Sequence, residues 1–155
     1  MVEGAVGLIR ILTTLAPYAI LGAVLIPPWL AACEPSENWF RVASLTVADT
    51  KEGEPITMNV SRVINRPFVG QWVATVRRVD EAGFVVMCNA YGSSSYRVGA
   101  KYPQPLTLDW WTRPMKCALP KGRYKLDTVW QFDVSFLVYT VTKTVTAESN
   151  VFEIN

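Results

Sequence analysis

Two kinds of side chain in this sequence are spaced so that they could act together: acidic pairs, Asp80-Glu81 and Glu52 with Glu54, and an aromatic set, Tyr91, Tyr96, Tyr102 and Trp111. The acids fall in stretches that read as hairpin turns, where turn chemistry and solubility explain them. A carboxylate glycosidase needs two acids facing each other across a cleft, and nothing in this spacing suggests such a pair. No histidine occurs anywhere, which removes serine and cysteine triads and the usual zinc sites. There is also no GxxxxGK[ST] or GxGxxG loop to cradle a phosphate. Catalytic residues, metals and cofactors are therefore not expected, although clustered turn oxygens at Asp49, Glu52 and Glu54 make a calcium site conceivable. The aromatic set points elsewhere, because tyrosine and tryptophan are enriched at the centres of protein interfaces. Strand alternation puts one ring of Trp110-Trp111 inside and the other outside. An exposed Trp111 beside Tyr91, Tyr96 and Tyr102 would form a surface for a protein or glycan partner; the alternative is core or edge packing of both rings.

Charge narrows the partners further. Fifteen basic side chains against thirteen acidic ones leave a formal net charge of +2, and nucleic-acid binding needs a clustered basic face. Arg77-Arg78 is the only adjacent basic pair, and strand neighbours point to opposite faces. No nucleic-acid partner is expected.

Something must hold these residues in place, and the pattern after Cys33 has a period of two. Glu34–Asn38 reads as a short linker, and 39–155 as one domain large enough to bury its own core. Trp39–Ala48 is a predicted strand with Ala43, Leu45 and Val47 on one face, and Ile56–Ile64 a second with Ile56, Met58 and Val60 alternating. In Phe68–Val79, Trp72, Ala74 and Val76 line one side while Gln71, Thr75 and Arg77 line a mostly polar other, the signature of a half-buried antiparallel strand. Asp80–Gly83 turns it into Phe84–Ala90 as a hairpin, with Val86, Cys88 and Ala90 in register. Tyr91–Pro105, rich in Gly, Ser and Tyr, reads as a long loop. Leu106–Thr112 returns to strand chemistry. Lys125–Phe132, Val134–Thr146 and Asn150–Ile154 complete a set of at least seven strands, the pattern of an all-β antiparallel sandwich.

The first 33 residues are of another kind. Ile11–Cys33 carries no charged side chain, and its length lies between a secretory core and a membrane span, so a hydrophobic helix is expected there. Arg10 before it and Glu34 and Glu37 after it agree with export of the chain beyond Cys33. The segment ends Leu30-Ala31-Ala32-Cys33, which resembles the lipobox of bacterial lipoprotein signal peptides. That resemblance implies cleavage before Cys33 and lipid on its sulfur. An uncleaved anchor and ordinary cleaved secretion are the alternatives. If Cys33 carries lipid, Cys88 and Cys117 remain as an even pair in an oxidising compartment, where a disulfide persists; two buried free thiols are the other reading.

The run Leu119-Pro120-Lys121-Gly122-Arg123-Tyr124 ahead of an alternating strand resembles the corner of immunoglobulin-like and fibronectin type III sandwiches, in which a tyrosine bonds back to the corner backbone. Leu126 stands where antibody domains have their second cysteine, so a Cys88–Cys117 bridge would be a local variant. Together the resemblances imply an immunoglobulin-like module tethered to the exported face of a bacterial membrane. Its role would be non-catalytic recognition or structure, as in phage and prophage products that modify the host envelope. An envelope carbohydrate-active enzyme, or a carrier of a hydrophobic ligand, is the alternative.

Overall fold

The computed structural model describes residues 22, 29–30, 32–80, 83–102, 105–112, 117–136 and 139–155. It divides into two compact units, Met1–Glu34 with Val134–Val141, and Pro35–Asp133 with Thr142–Asn155. In the first unit Gly22, Trp29, Leu30, Ala32 and Cys33 are helical. The Glu34 amide donates to the Leu30 carbonyl at 3.0 Å, and Cys33 is exposed with a free thiol. The rest of the expected hydrophobic helix lies outside the described residues, among which no helix is long and apolar enough to cross a membrane.

From Phe40 onward the chain is mostly strand, in two antiparallel sheets. After a 3-10 turn at Ser36–Asn38 come strands β1 (Phe40–Val47), β2 (Thr57–Ile64), β3 (Phe68–Asp80), β4 (Gly83–Tyr96) and β5 (Leu106–Thr107). A helical turn α1 (Leu108–Thr112) then leads to β6 (Gly122–Phe136), β7 (Tyr139–Glu148) and β8 (Phe152–Ile154). One sheet runs β1-β2-β5; the other runs β4-β3-β6-β7, with β8 beside the start of β6.

Alternation decides which side chains meet between the sheets. Met58 and Val60 from β2, Ala74 and Val76 from β3, and Tyr124, Leu126, Thr128, Trp130 and Phe132 from β6 are all buried. At one end the core is aromatic. Phe40 lies 5.6 Å from Phe68 and 5.3 Å from Trp130, ring centre to ring centre, and Phe68 stacks on Phe132 at 4.2 Å. Burying one such side chain stabilises the fold by roughly 1.5–3 kcal/mol, and tilted ring pairs add about 0.5–1.5 kcal/mol.

Three expectations need correction. Ala43 is exposed and not on the inner face with Leu45 and Val47, because a bulge between Val42 and Ser44 adds a residue and shifts the alternation. Likewise Val86 is exposed while Ala90 is buried, since the β3–β4 register slips between Val76 and Arg77. Leu106–Thr112 is strand only at its first two residues. From Leu108 it winds into a helical turn, and both Leu108 and Trp111 are buried.

The corner before β6 does what its sequence implies. The Tyr124 hydroxyl donates to the Pro120 carbonyl at 2.5 Å, while its ring is fully buried and tilts against Phe152. Gly122 sits at φ 154° with Arg78 Nε 3.3 Å from where a Cβ would be, so both its backbone and its surroundings suit a residue without a side chain. Cys88 and Cys117 are joined in a disulfide, their Cα atoms 5.9 Å apart.

Candidate functional site

The element that builds the site is the far half of β4. The sequence predicts a loop from Tyr91 onward, yet each residue of Tyr91–Tyr96 pairs with one of Phe68–Val73 on β3. Glycine and serine are poor strand formers; a regular partner strand supplies the hydrogen bonds that override them. Gly92 has a further role, because a Cβ there would lie 2.8 Å from Cζ2 of Trp72. The bare backbone lets the Trp72 indole lie across β4.

That indole forms one wall of a cleft of about 450 Å³, within the usual range of small-ligand pockets. Trp72, Val73 and Ala74 come from β3, Ser93–Tyr96 from β4, Thr128 and Trp130 from β6, and Trp111 from α1. Arg62 from β2 and the returning segment Ala100–Tyr102 complete the lining. Trp111 holds the aromatic walls together: it stacks on Trp72 at 6.5 Å and meets Tyr102 and Trp130 edge-on at 5.8 and 6.2 Å. The helical turn is what aims it inward, as a continued strand would not.

The charge in the cleft is of one sign. The Arg62 guanidinium carbon sits 3.5 Å from the centre of the Tyr102 ring and 5.5 Å from that of Tyr96, inside the range where a cation is attracted to a ring face. Its Nε is buried with no hydrogen-bond partner among the described residues, and Lys101 also lines the cleft. No Asp or Glu does, among the described residues. Burial pushes the Tyr96 hydroxyl well above its ordinary 10.0, with Tyr102 adding to the effect. Burial also raises Tyr102, and the Arg62 charge opposes it in part. Both phenols therefore stay neutral donors at physiological pH.

The structure brings three of the four sequence-predicted contact residues together, though not as an exposed patch. Tyr96, stacked on Phe68 at 4.5 Å, and Trp111 are each only 4% exposed and present an edge to the cleft, and Tyr102 closes it. Tyr91 is 71% exposed and pairs with Val73 on the outer face of the sheet, away from the other three. Sequence reasoning missed Arg62, Trp72, Lys101 and Trp130. Alternation places Trp72 and Trp130 on inner faces, which is correct, but only the direct pairing of Trp72 with both Gly92 and Trp130 turns an inner face into a wall. Arg62 carries no signal in the sequence, since its partners Tyr96 and Tyr102 lie far along the chain.

The acidic turn residues sit elsewhere. Glu52, Glu54 and Asp109 border a second depression of about 410 Å³ next to Cys117–Pro120. Asp49 Oδ1 accepts the Glu153 amide at 2.8 Å, and the described residues hold no acidic cluster that could bind a metal ion.

Comparison with known proteins returns no matching family model, no matching curated protein and no matching solved structure.

Proposed function

We propose that this chain is a membrane-tethered, non-catalytic recognition or structural module on the exported face of a bacterial envelope, of cellular or phage origin. Its body is an immunoglobulin-like domain that holds a protein or surface glycan in the aromatic cleft. The observation that carries this reading is the cleft itself, where tryptophan and tyrosine walls surround an arginine whose Nε has no hydrogen-bond partner, and no acid lines the space, among the described residues. Such a lining suits stacking and charge recognition.

Two features support the immunoglobulin-like assignment. With β4 as C′ and β5 as E, the sheets read A-B-E and C′-C-F-G, and the Tyr124 corner opens the strand that corresponds to F, where that fold family has it. The tether rests on the Leu30-Ala31-Ala32-Cys33 motif and on Cys33 being exposed and free, with a spanning helix as the other form of anchor.

Mass spectrometry of the membrane fraction, comparing wild type with Cys33→Ser, tests the tether. Loss of residues 1–32 with added lipid in the wild type alone is the expected result, and an intact start at Met1 favours the spanning helix. Recovery of the chain in the cytosol with Cys88 and Cys117 reduced would defeat the placement. A second reading, a carrier of a hydrophobic ligand, is favoured by the aromatic lining of a cleft that draws on both sheets; organic extraction of the purified full-length protein would then release a stoichiometric small molecule.

A further inference from the structure

Resting on the recognition reading, we infer that the occupant of the cleft is an extended polypeptide segment of another protein, which adds as a strand to the free edge of β4. An apolar or aromatic side chain and an acidic side chain two residues away then point into the cleft. Three successive residues, Ser93, Ser94 and Ser95, line the space. They belong to the strand that ends its sheet, so the cleft borders an edge whose backbone groups point sideways. That edge has no strand partner among the described residues, since β4 ends its sheet. Cys88, near the start of β4, is bridged to Cys117 and α1 packs against β4, but its own sequence carries no guard. Edge strands are normally blunted by lysine, proline or inward charge, and the fourteen residues of β4, GFVVMCNAYGSSSY, contain none of these.

Charge identifies the side chain that enters. Arg62 and Lys101 face a cleft lined by no acid among the described residues, so the segment supplies a carboxylate, which Arg binds well through parallel N–H donors. In an added strand, residues i and i+2 share a face, which places the carboxylate two positions from the group that stacks among Trp72, Trp111 and Trp130. A second copy of this chain pairing β4 to β4 does not fit, because β4 has no acid to offer. Edge addition with side-chain pockets is an established mode of peptide recognition.

The test uses the full-length chain in detergent micelles and a library of end-capped octapeptides on an alternating threonine-valine background. Each peptide pairs one apolar or aromatic residue with Asp or Glu two positions on. Selected peptides should lose at least tenfold in affinity when the acid becomes its amide, and at least tenfold against the Arg62→Met protein. N-methylating alternate peptide amides should give the signature of edge pairing: one set abolishes binding and the other leaves it within about threefold. A library that yields nothing above its amide-substituted counterpart overturns the inference, as does binding indifferent to both N-methyl sets. An acidic oligouronate, run in parallel, separates the recognition site from its proposed occupant. If it binds in an Arg62-dependent way while no peptide does, the cleft remains a recognition site and the strand is wrong; if neither binds, both fall.

Discussion

At the scale of single residues, the fold leans on a few side chains that close hydrogen bonds no strand ladder would make. Tyr124 is the clearest, with its hydroxyl on the Pro120 carbonyl and its ring fully buried. Tyr124→Phe keeps the ring and removes the bond, so it should cost about 0.5–1.5 kcal/mol, read as a lower urea midpoint with an unchanged slope. A different residue tests the cleft. Gly92→Val places a branched side chain where Trp72 lies, with the first added atom already 2.8 Å from the indole, and overpacking of this kind costs about 1–3 kcal/mol. The near-ultraviolet circular dichroism of the stacked tryptophans should change while the far-ultraviolet strand signal stays; an unaltered tryptophan signal would show that Trp72 has room to spare. Ion pairs matter less at this scale. Lys125 and Glu148 are hydrogen-bonded, and the contact holds the Glu148 carboxyl below its ordinary range. Its contribution is present above that range and fades as pH falls through the folded value, but the pair lies at the surface, which makes it small.

At the scale of elements, the two sheets are tied at their edges as well as through the core. Asn150, between β7 and β8, accepts the Val47 amide at 2.9 Å and donates to the Val47 carbonyl at 3.0 Å, which gives β1 at its last residue a partner in the connection of two strands of the other sheet. Asn150→Ala leaves both backbone groups of Val47 to water or to nothing, and a loss of about 1–3 kcal/mol is expected. Hydrogen exchange should localise that loss to β1 and β8, and a uniform change would argue against an edge clamp. The Cys88–Cys117 bridge, across a separation of 29 residues, constrains the unfolded chain by roughly 3–4 kcal/mol. The double variant Cys88→Ala, Cys117→Ala should lose most of that in denaturant titrations without changing the folded spectrum. This is also the scale at which legibility in the sequence divides. Wherever one face is apolar and the other polar, as in β2, β3 and β6, period and burial agree, because burial itself imposes the period. The extension of β4 through Gly92 and the three serines is illegible, since its strand character comes from β3 and not from its own side chains. The turn at Leu108 is illegible for a related reason: LDWWT alternates well enough to pass for a strand, and it winds into a turn that buries Leu108 and Trp111 together. The bulges at Val42–Ser44 and Val76–Arg77 displace face assignments by one residue and leave no mark in composition. The cleft inherits all of this, for its walls come from the legible strands and its openings from the illegible ones.

At the scale of the second unit, the buried phenols link its stability to alkaline pH. Burial raises Tyr96, Tyr102 and Tyr124 above their ordinary 10.0. In the unfolded chain each ionises near that value, while in the fold each keeps its proton to higher pH. Above 10 the unfolded state therefore binds fewer protons than the native one, and stability falls as pH rises. Each group's share is fully present below 10 and is lost as pH climbs through its folded value, at up to about 1.4 kcal/mol per pH unit. Denaturant midpoints measured from pH 8 to 12 should be level at first and then descend, with phenolate absorbance appearing together with the loss of tryptophan dichroism rather than before it. Tyr102→Phe removes one such group at the mouth of the cleft and should make the descent shallower, while leaving Arg62 an aromatic face to rest on. If the phenols titrate fully while the fold remains intact, the aromatic end of the core is open to water. A cleft built on its rings would then be too loosely held to select a partner by stacking.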